Sequence, residues 1–139
     1  MKSKFLCLIG IVLLYSSCGK KLSEFDNSLA GDWKMTSITG RSGVSVTKPS
    51  SDEVISTFDK NKTNIQFKSD FCSGSGAYTR QDKGGINISV QRLDGGNWPN
   101  GIWLDMYLDA INKATSYIVV NTELKVKTSD LRTIVFTKI

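Results

Sequence analysis

The chain has 139 residues, with 18 lysines and arginines against 13 aspartates and glutamates, three cysteines and no histidine. That length suits one domain. The missing histidine removes Ser-His-Asp and Cys-His catalysis in their common form, His-ligated zinc and the usual near-neutral pH switch. The basic residues are scattered rather than gathered in runs, so no nucleic-acid patch is indicated.

The first 17 residues read as a signal peptide. Lys2 and Lys4 give a positive start, Phe5 to Tyr15 is an uninterrupted apolar run, and Ser16 and Ser17 precede Cys18. That order is the logic of a secretory signal. The run is too short for a bilayer, which takes roughly 20 apolar residues. A buried N-terminal core helix is the competing reading, and the basic flank and small residues argue against it. The string "LLYSSC" resembles a bacterial lipobox, with Tyr15 where leucine is usual. The resemblance implies that Cys18 is lipid-modified, by palmitate among other chains, and becomes the first mature residue. One acyl chain holds a protein marginally and two or more hold it stably. Gly19 follows where an aspartate would retain the protein at the inner membrane, and "GKKLSE" stands where surface-exported lipoproteins carry acidic residues. The expected place is therefore the outer membrane, facing the periplasm. Residues 18–28 read as a polar tether and 29–139 as the folded domain.

The domain opens with "LAGDWKMTSIT", whose period of two predicts a strand. Trp33, Met35, Ser37 and Thr39 fall on one face, and Lys34, Thr36 and Ile38 on the other. Gly40 to Gly43 is a turn. Residues 44–62 admit two readings. Ser50 with Glu53 three later is a capping-box pattern for a short helix, and a plain loop is the alternative. Thr63, Ile65 and Phe67 then share a strand face. "GAYTRQ" is a further strand, and Asp82 to Gly85 a hairpin turn with glycines supplying positive φ. In the next strand Ile86, Ile88 and Val90 point in, and Asn87, Ser89 and Gln91 point out. Asp94 to Gly101 breaks the pattern.

A helix over about 102–115 follows. Trp103, Leu104, Tyr107, Leu108, Ile111 and Ala114 form its apolar stripe. Asp105, Asp109, Asn112 and Lys113 lie opposite, with Asp109 and Lys113 as an i,i+4 pair. Three strands end the chain, turning at Asn121-Thr122 and Ser129-Asp130. Short strands, tight turns and a single helix predict a mainly β fold. It is a small antiparallel barrel or strongly curved sheet, with the helix before the last three strands and covering an open end. Closing the barrel removes edges that invite aggregation.

Several of these stretches carry a family resemblance: Leu29-x-Gly31-x-Trp33 on the first strand, Cys72 with Gly76 and Tyr78 in the middle, an Asp- and Leu-rich helix, then "YIVVNTELKV" and "TIVFTK". Together they resemble the META domain, the HslJ-like family of small envelope proteins. The resemblance implies a lipocalin-like barrel, no established enzymatic activity, and links of some members to envelope stress or drug tolerance. In that family the cysteine commonly has a partner in the segment matching about Leu93 to Gly101, and this chain has none there. Gly31-x-Trp33 also suits a lipocalin-like domain. The helix before the last three strands favours META.

"FCSGSGAYTR" is the most chemical-looking stretch. It reads as a glycine-allowed reversal into the Tyr78 strand, with Cys72 a small buried residue at the turn. The alternative is a free, exposed thiol open to oxidation. Asp70, two residues away and on the same side if the chain is extended, would make the thiolate scarcer. Gly74-x-Gly76 lacks the third glycine of a dinucleotide site. Asp105 and Asp109 read as a solvated face, since calcium wants more oxygens and a shaped loop. No cofactor and no metal are expected. Trp33, Trp98, Trp103 and Tyr107 line either a pocket or the core.

The expected protein is thus a lipid-anchored, non-enzymatic envelope module of META type with a binding or envelope-stress role. Its partners are the membrane, through the lipid, and a protein or a small apolar ligand, with no nucleic acid. The alternative is a lipocalin-like carrier with an apolar ligand inside the barrel. The interior separates them: hollow for a carrier, filled by Trp33, Phe67, Ile88 and the helix for a META-type module.

Overall fold

The computed structural model describes residues 29–47, 53–60, 63–93 and 102–139. The signal, Cys18, the tether and Trp98 lie outside them. The strands follow in order as β1 (Gly31–Thr39), β2 (Ser45–Thr47), β3 (Val54–Phe58), β4 (Asn64–Ser69), β5 (Ser73–Gln81) and β6 (Gly85–Arg92). Helix α1 (Ile102–Ile111) comes next, then β7 (Ala114–Val120), β8 (Glu123–Thr128) and β9 (Thr133–Lys138). Each strand from β3 onward pairs antiparallel with the next, and β1 pairs with both β3 and β9. The wall therefore closes into an eight-stranded antiparallel barrel, with β2 added to β1 outside the ring. The expected barrel, with its helix ahead of the last three strands, is what the chain forms.

Alternation explains most of the wall. Ile65, Phe67 and Ser69 point in from β4, and Ile86, Ile88 and Val90 from β6, while the residues between them are exposed. Three local readings change. First, the segment that could have been a helix or a loop contains β3. Val54, Ser56 and Phe58 point inward, and the strand bonds β1 on one side and β4 on the other. Two ladders outweigh a local capping signal, of which Ser50 is outside the described residues and Glu53 directly precedes β3. Second, β1 carries an irregularity between Met35 and Ser37 in its pairing with β9. A bulge shifts the alternation by one, so Ile38 joins Trp33 and Met35 in the core while Ser37 and Thr39 are only partly buried. Third, the helix ends at Ile111 rather than about 115. Ala110 takes the inward place expected of Leu108, and Ala114 already belongs to β7.

Between β6 and β7 the wall is thin, with one paired position, Gly85 with Ser116. Above it α1 lies where β7 would be. The Val90 N–H donates to Asn112 Oδ1 at 2.8 Å, and Asn112 Nδ2 donates to Val90 O at 3.3 Å and to Leu108 O at 3.0 Å. A primary amide offers the same acceptor and donor as a peptide group. Asn112 thus stands in for a strand residue on an edge that would otherwise be bare.

The inward stripe of α1 puts Tyr107 into the lumen. Its ring packs on Phe67 of β4 and Phe136 of β9, at centroid distances of 5.6 and 6.5 Å. Its hydroxyl meets Ser56 Oγ of β3 at 2.8 Å. In ring order β3 is three strands from β6, so this contact crosses the barrel. Both side chains are fully buried. Burial pushes the Tyr107 hydroxyl above the ordinary tyrosine range, opposed by the Ser56 hydrogen bond.

A charged clasp holds the outer side of α1. Lys113 Nζ lies 2.8 Å from Asp109 and 3.3 Å from Asp130, and Arg132 Nη2 lies 2.6 Å from each aspartate. The expected Asp109–Lys113 pair is therefore part of a four-residue network joining the helix to the β8–β9 turn. Arg132, with the Thr128 hydroxyl, holds Asp130 well below the usual carboxylate range. Lys113 and then Arg132 lower Asp109.

Two outcomes are expected. Tyr107→Phe and Ser56→Ala each leave a buried hydroxyl without its partner and should each cost about 1–3 kcal/mol. The double variant should cost less than the sum, read by urea denaturation. The clasp aspartates have folded pKa values below their unfolded ones. Their contribution is therefore full above the unfolded carboxylate range, near about pH 4, and is lost as pH falls through the lowered folded values. Melting temperature should drop on acidification below about pH 4, and less steeply in Asp130→Asn. Salt should weaken the effect, because these groups are partly exposed.

Candidate functional site

Of the residues singled out as pocket or core lining, Trp33, Trp103 and Tyr107 are core, and Trp98 lies outside the described residues. Trp33, Trp103, Tyr107 and Cys72 belong to one buried cluster. Trp33 closes the end where the chain enters. Its Nε1 donates to Leu29 O at 2.8 Å, and Lys138 Nζ sits 5.3 Å above its ring. Gly31, two residues earlier, has φ of 121°, which a side chain would resist. Trp103 is buried on α1, and its indole N–H has no hydrogen-bond partner among the described residues. Trp33, Phe58, Tyr107, Phe136 and Ile88 occupy the lumen from several strands and from the helix. Among the described residues these inward side chains pack against one another as one core.

Cys72 is a free cysteine, 5% exposed. The reversal before it is built by Ser69, not by the glycines. Ser69 Oγ accepts the Phe71 N–H at 3.2 Å and the Cys72 N–H at 3.0 Å, and donates to Cys72 O at 3.0 Å. Ser69 N also donates to Cys72 O, at 2.8 Å. Asp70 turns the other way and accepts the Glu53 N–H at 3.2 Å on the surface. At the next reversal the positive φ values belong to Lys83 and Gly84, while Gly85 is extended.

Gly74 and Gly76 lie within β5 and serve close approach. A Cβ on Gly74 would sit 2.1 Å from the Phe67 ring and 2.3 Å from Gln91 O. One on Gly76 would sit 1.8 Å from Ser89 O and 2.7 Å from Val90 Cα. Strands β5 and β6 are pressed together there, with Phe67 filling the inner space that Gly74 leaves.

The outside of these same strands is the most distinctive surface. From β5 it presents Ser73, Ser75, Ala77 and Thr79, and from β6 Asn87, Ser89 and Gln91. Strand β4 adds Asn64, Gln66 and Lys68. The register sets them side by side: Gln66 opposite Ser75, Ser75 opposite Gln91, and Thr79 opposite Asn87. Lys68 is the one charged residue among these ten. The far wall differs. There β8 presents Glu123, Lys125 and Lys127, and Lys34 of β1 pairs with Glu53.

Four depressions lie along this largely polar face. One of about 400 Å³ is floored by Ser73 and Ser75 and edged by Gln66, Lys68 and Leu93. A second, of about 170 Å³, shares Gln66 and Thr57 with it and reaches Asn64 and Asp59. A third, of about 140 Å³, lies between Ala77, Thr79, Asn87 and Ser89. The fourth, of about 370 Å³, shares Asn87 and runs into the β6–β7 gap toward Lys113 and Ser129. Small side chains on β5 and the coiling of β5 against β6 leave this space. The outward set on β6 was readable from alternation. That it adjoins the outward residues of β4 and β5 depends on strand pairing.

No family model matches the chain, and no curated protein matches it. Two solved structures share the architecture. One is a protein from Burkholderia xenovorans determined by NMR, with 14% identity, a TM-score of 0.64, and coverage of 81% of this chain and 86% of that one. The other is a crystal structure of a DUF4847 family protein from Bacteroides vulgatus, with 13% identity, a TM-score of 0.57, and coverage of 78% and 92%. At these identities the likeness is one of fold. Among the described residues no group of three or more acidic or cysteine side chains is placed to hold a metal.

Gly76→Ala should force β5 from β6, because the clash is with backbone. Its expected cost is about 2–3 kcal/mol or more. Ala77→Ser, on the open face, should stay within about 0.5 kcal/mol. Urea denaturation of the two variants checks both.

Proposed function

We propose that this barrel is a non-enzymatic binding module of the bacterial envelope, tethered by lipid on Cys18, which works with its outer wall. The observation that carries the outer-wall reading is Tyr107, buried across the lumen and bonded to Ser56 at 2.8 Å. A carrier with a ligand in the barrel would have to expel that side chain and leave Ser56 unpaired. The lipid tether rests on the positive start, the apolar run and the lipobox-like string ending at Cys18. The META resemblance supports an envelope role without catalysis, and the absence of histidine is in keeping with it.

Cells fed labelled palmitate test the tether. Label is expected on the wild-type chain and lost in Cys18→Ala, and label that survives the substitution overturns it. Native mass spectrometry of the membrane-purified protein tests the outer-wall reading. The expected mass is acylated polypeptide alone. A stoichiometric small apolar ligand, released only on unfolding, would establish the carrier instead.

A further inference from the structure

We propose that the outer half of the β5–β6 hairpin, Thr79 to Asn87, is a flap that opens the Leu29 end of the barrel; this goes beyond the outer-wall reading and does not rest on it. The base of the hairpin is held on both edges. On the β4 side the ladder runs from Lys68 opposite Ser73 to Asn64 opposite Ala77. On the other side the Asn112 amide bonds both the N–H and the carbonyl of Val90. The outer half lacks this support. Among the described residues no strand pairs with Thr79 to Gln81 on the β4 side, and β7 pairs with β6 only where Gly85 faces Ser116. Between that position and Asn112 lies the depression of about 370 Å³, edged by Gln81, Ile86, Asn87 and Thr115.

Little burial opposes the motion. From Thr79 to Asn87 only Ile86 is buried. Helix α1, by contrast, buries Trp103, Leu104, Tyr107, Ala110 and Ile111, and it is tied to Ser56 and to the β8–β9 turn. Segments that bury few apolar side chains open first, so the flap moves and the helix stays. The hinge falls at Tyr78. Its N–H donates to Thr63 O at 2.8 Å, its hydroxyl to Asp59 O at 3.0 Å, and its ring packs edge-on against Phe58 at 5.2 Å. Ile88 lies opposite it on β6, so the hinge line crosses both strands there. Beyond that line Thr79 pairs with Asn87, Arg80 with Ile86 and Gln81 with Gly85, and the tip turns through Lys83 (φ 61°) and Gly84 (φ 80°). The flap is thus one stiff unit bonded chiefly to itself. Lifting it uncovers Ile86 and the half-buried Tyr117 of β7, whose carbonyl lies beside Gly84. That gives a way into the barrel with Tyr107 still in place.

Thiol labelling of the full chain carrying Cys18→Ala tests this, read site by site by mass spectrometry because Cys72 remains. One chain carries Ile86→Cys, under the flap, and another Val90→Cys, at the held base; both positions are buried alike. Ile86→Cys is expected to label at least about tenfold faster than Val90→Cys, at a rate that low urea leaves unchanged, because a local opening exposes little surface. Tyr78→Phe removes one bond from the hinge and should speed labelling at Ile86→Cys about fivefold, with no change at Val90→Cys. Equal labelling at the two positions, rising together with urea, means that the barrel opens only as a whole and overturns the proposal. So does faster labelling at Val90→Cys. Amide hydrogen exchange on the chain without either cysteine substitution carries the same test where a cysteine unsettles the fold. The Tyr78 N–H is expected to exchange through a urea-insensitive opening, and the β1–β9 ladder through a urea-sensitive one. A single urea-sensitive opening shared by both overturns the flap.

Discussion

A hydroxyl carried into a dry interior must find a partner there, and in this barrel the hydroxyl of Tyr107 finds Ser56. That one requirement fixes much else. Ser56 is among the few polar residues buried in the wall, and it sits across from the helix that carries Tyr107. For the two to meet, α1 must lie against the barrel with its inward stripe in the lumen. Phe67 and Phe136 then pack on the same ring. The barrel is filled because its helix reaches through it.

The position of α1 also solves a problem in the wall. Strands β6 and β7 pair at a single position, which leaves an edge above it. The Asn112 amide satisfies Val90 as a neighbouring strand would. The clasp of Asp109, Lys113, Asp130 and Arg132 ties the same helix to the β8–β9 turn from outside. Helix, gap and turn are one mechanical unit, held by a buried hydrogen bond inside, an amide at the edge and ion pairs in solvent. The buried bond sets geometry most firmly, since water cannot compete for it. The exposed pairs contribute modestly.

The surface of the barrel is uneven. Strands β4 to β6 present hydroxyls and amides with a lone lysine among them, whereas β8 and β1 present charges of both signs. The glycines at 74 and 76 connect this face to the core. They let β5 press on β6, and Gly74 gives Phe67 its inner space.

Local periodicity by itself determined the β character, the strand order from Ile65 to the end, the helix with Trp103, Leu104, Tyr107 and Ile111 on its inner stripe, and the inward and outward sets of β6. Each of these is written in neighbouring residues, and neighbours along the chain fix alternation. Tertiary structure decided the rest. Residues 54–58 became a strand because β1 and β4 both bond to them. Ile38 turned inward because the pairing of β1 with β9 shifts after Met35. Whether Tyr107 lined a pocket or filled one depended on a serine 51 positions earlier. The polar face exists because register sets Gln66, Ser75 and Gln91 in one row. These are contacts between residues far apart in sequence, and they form only when the wall closes.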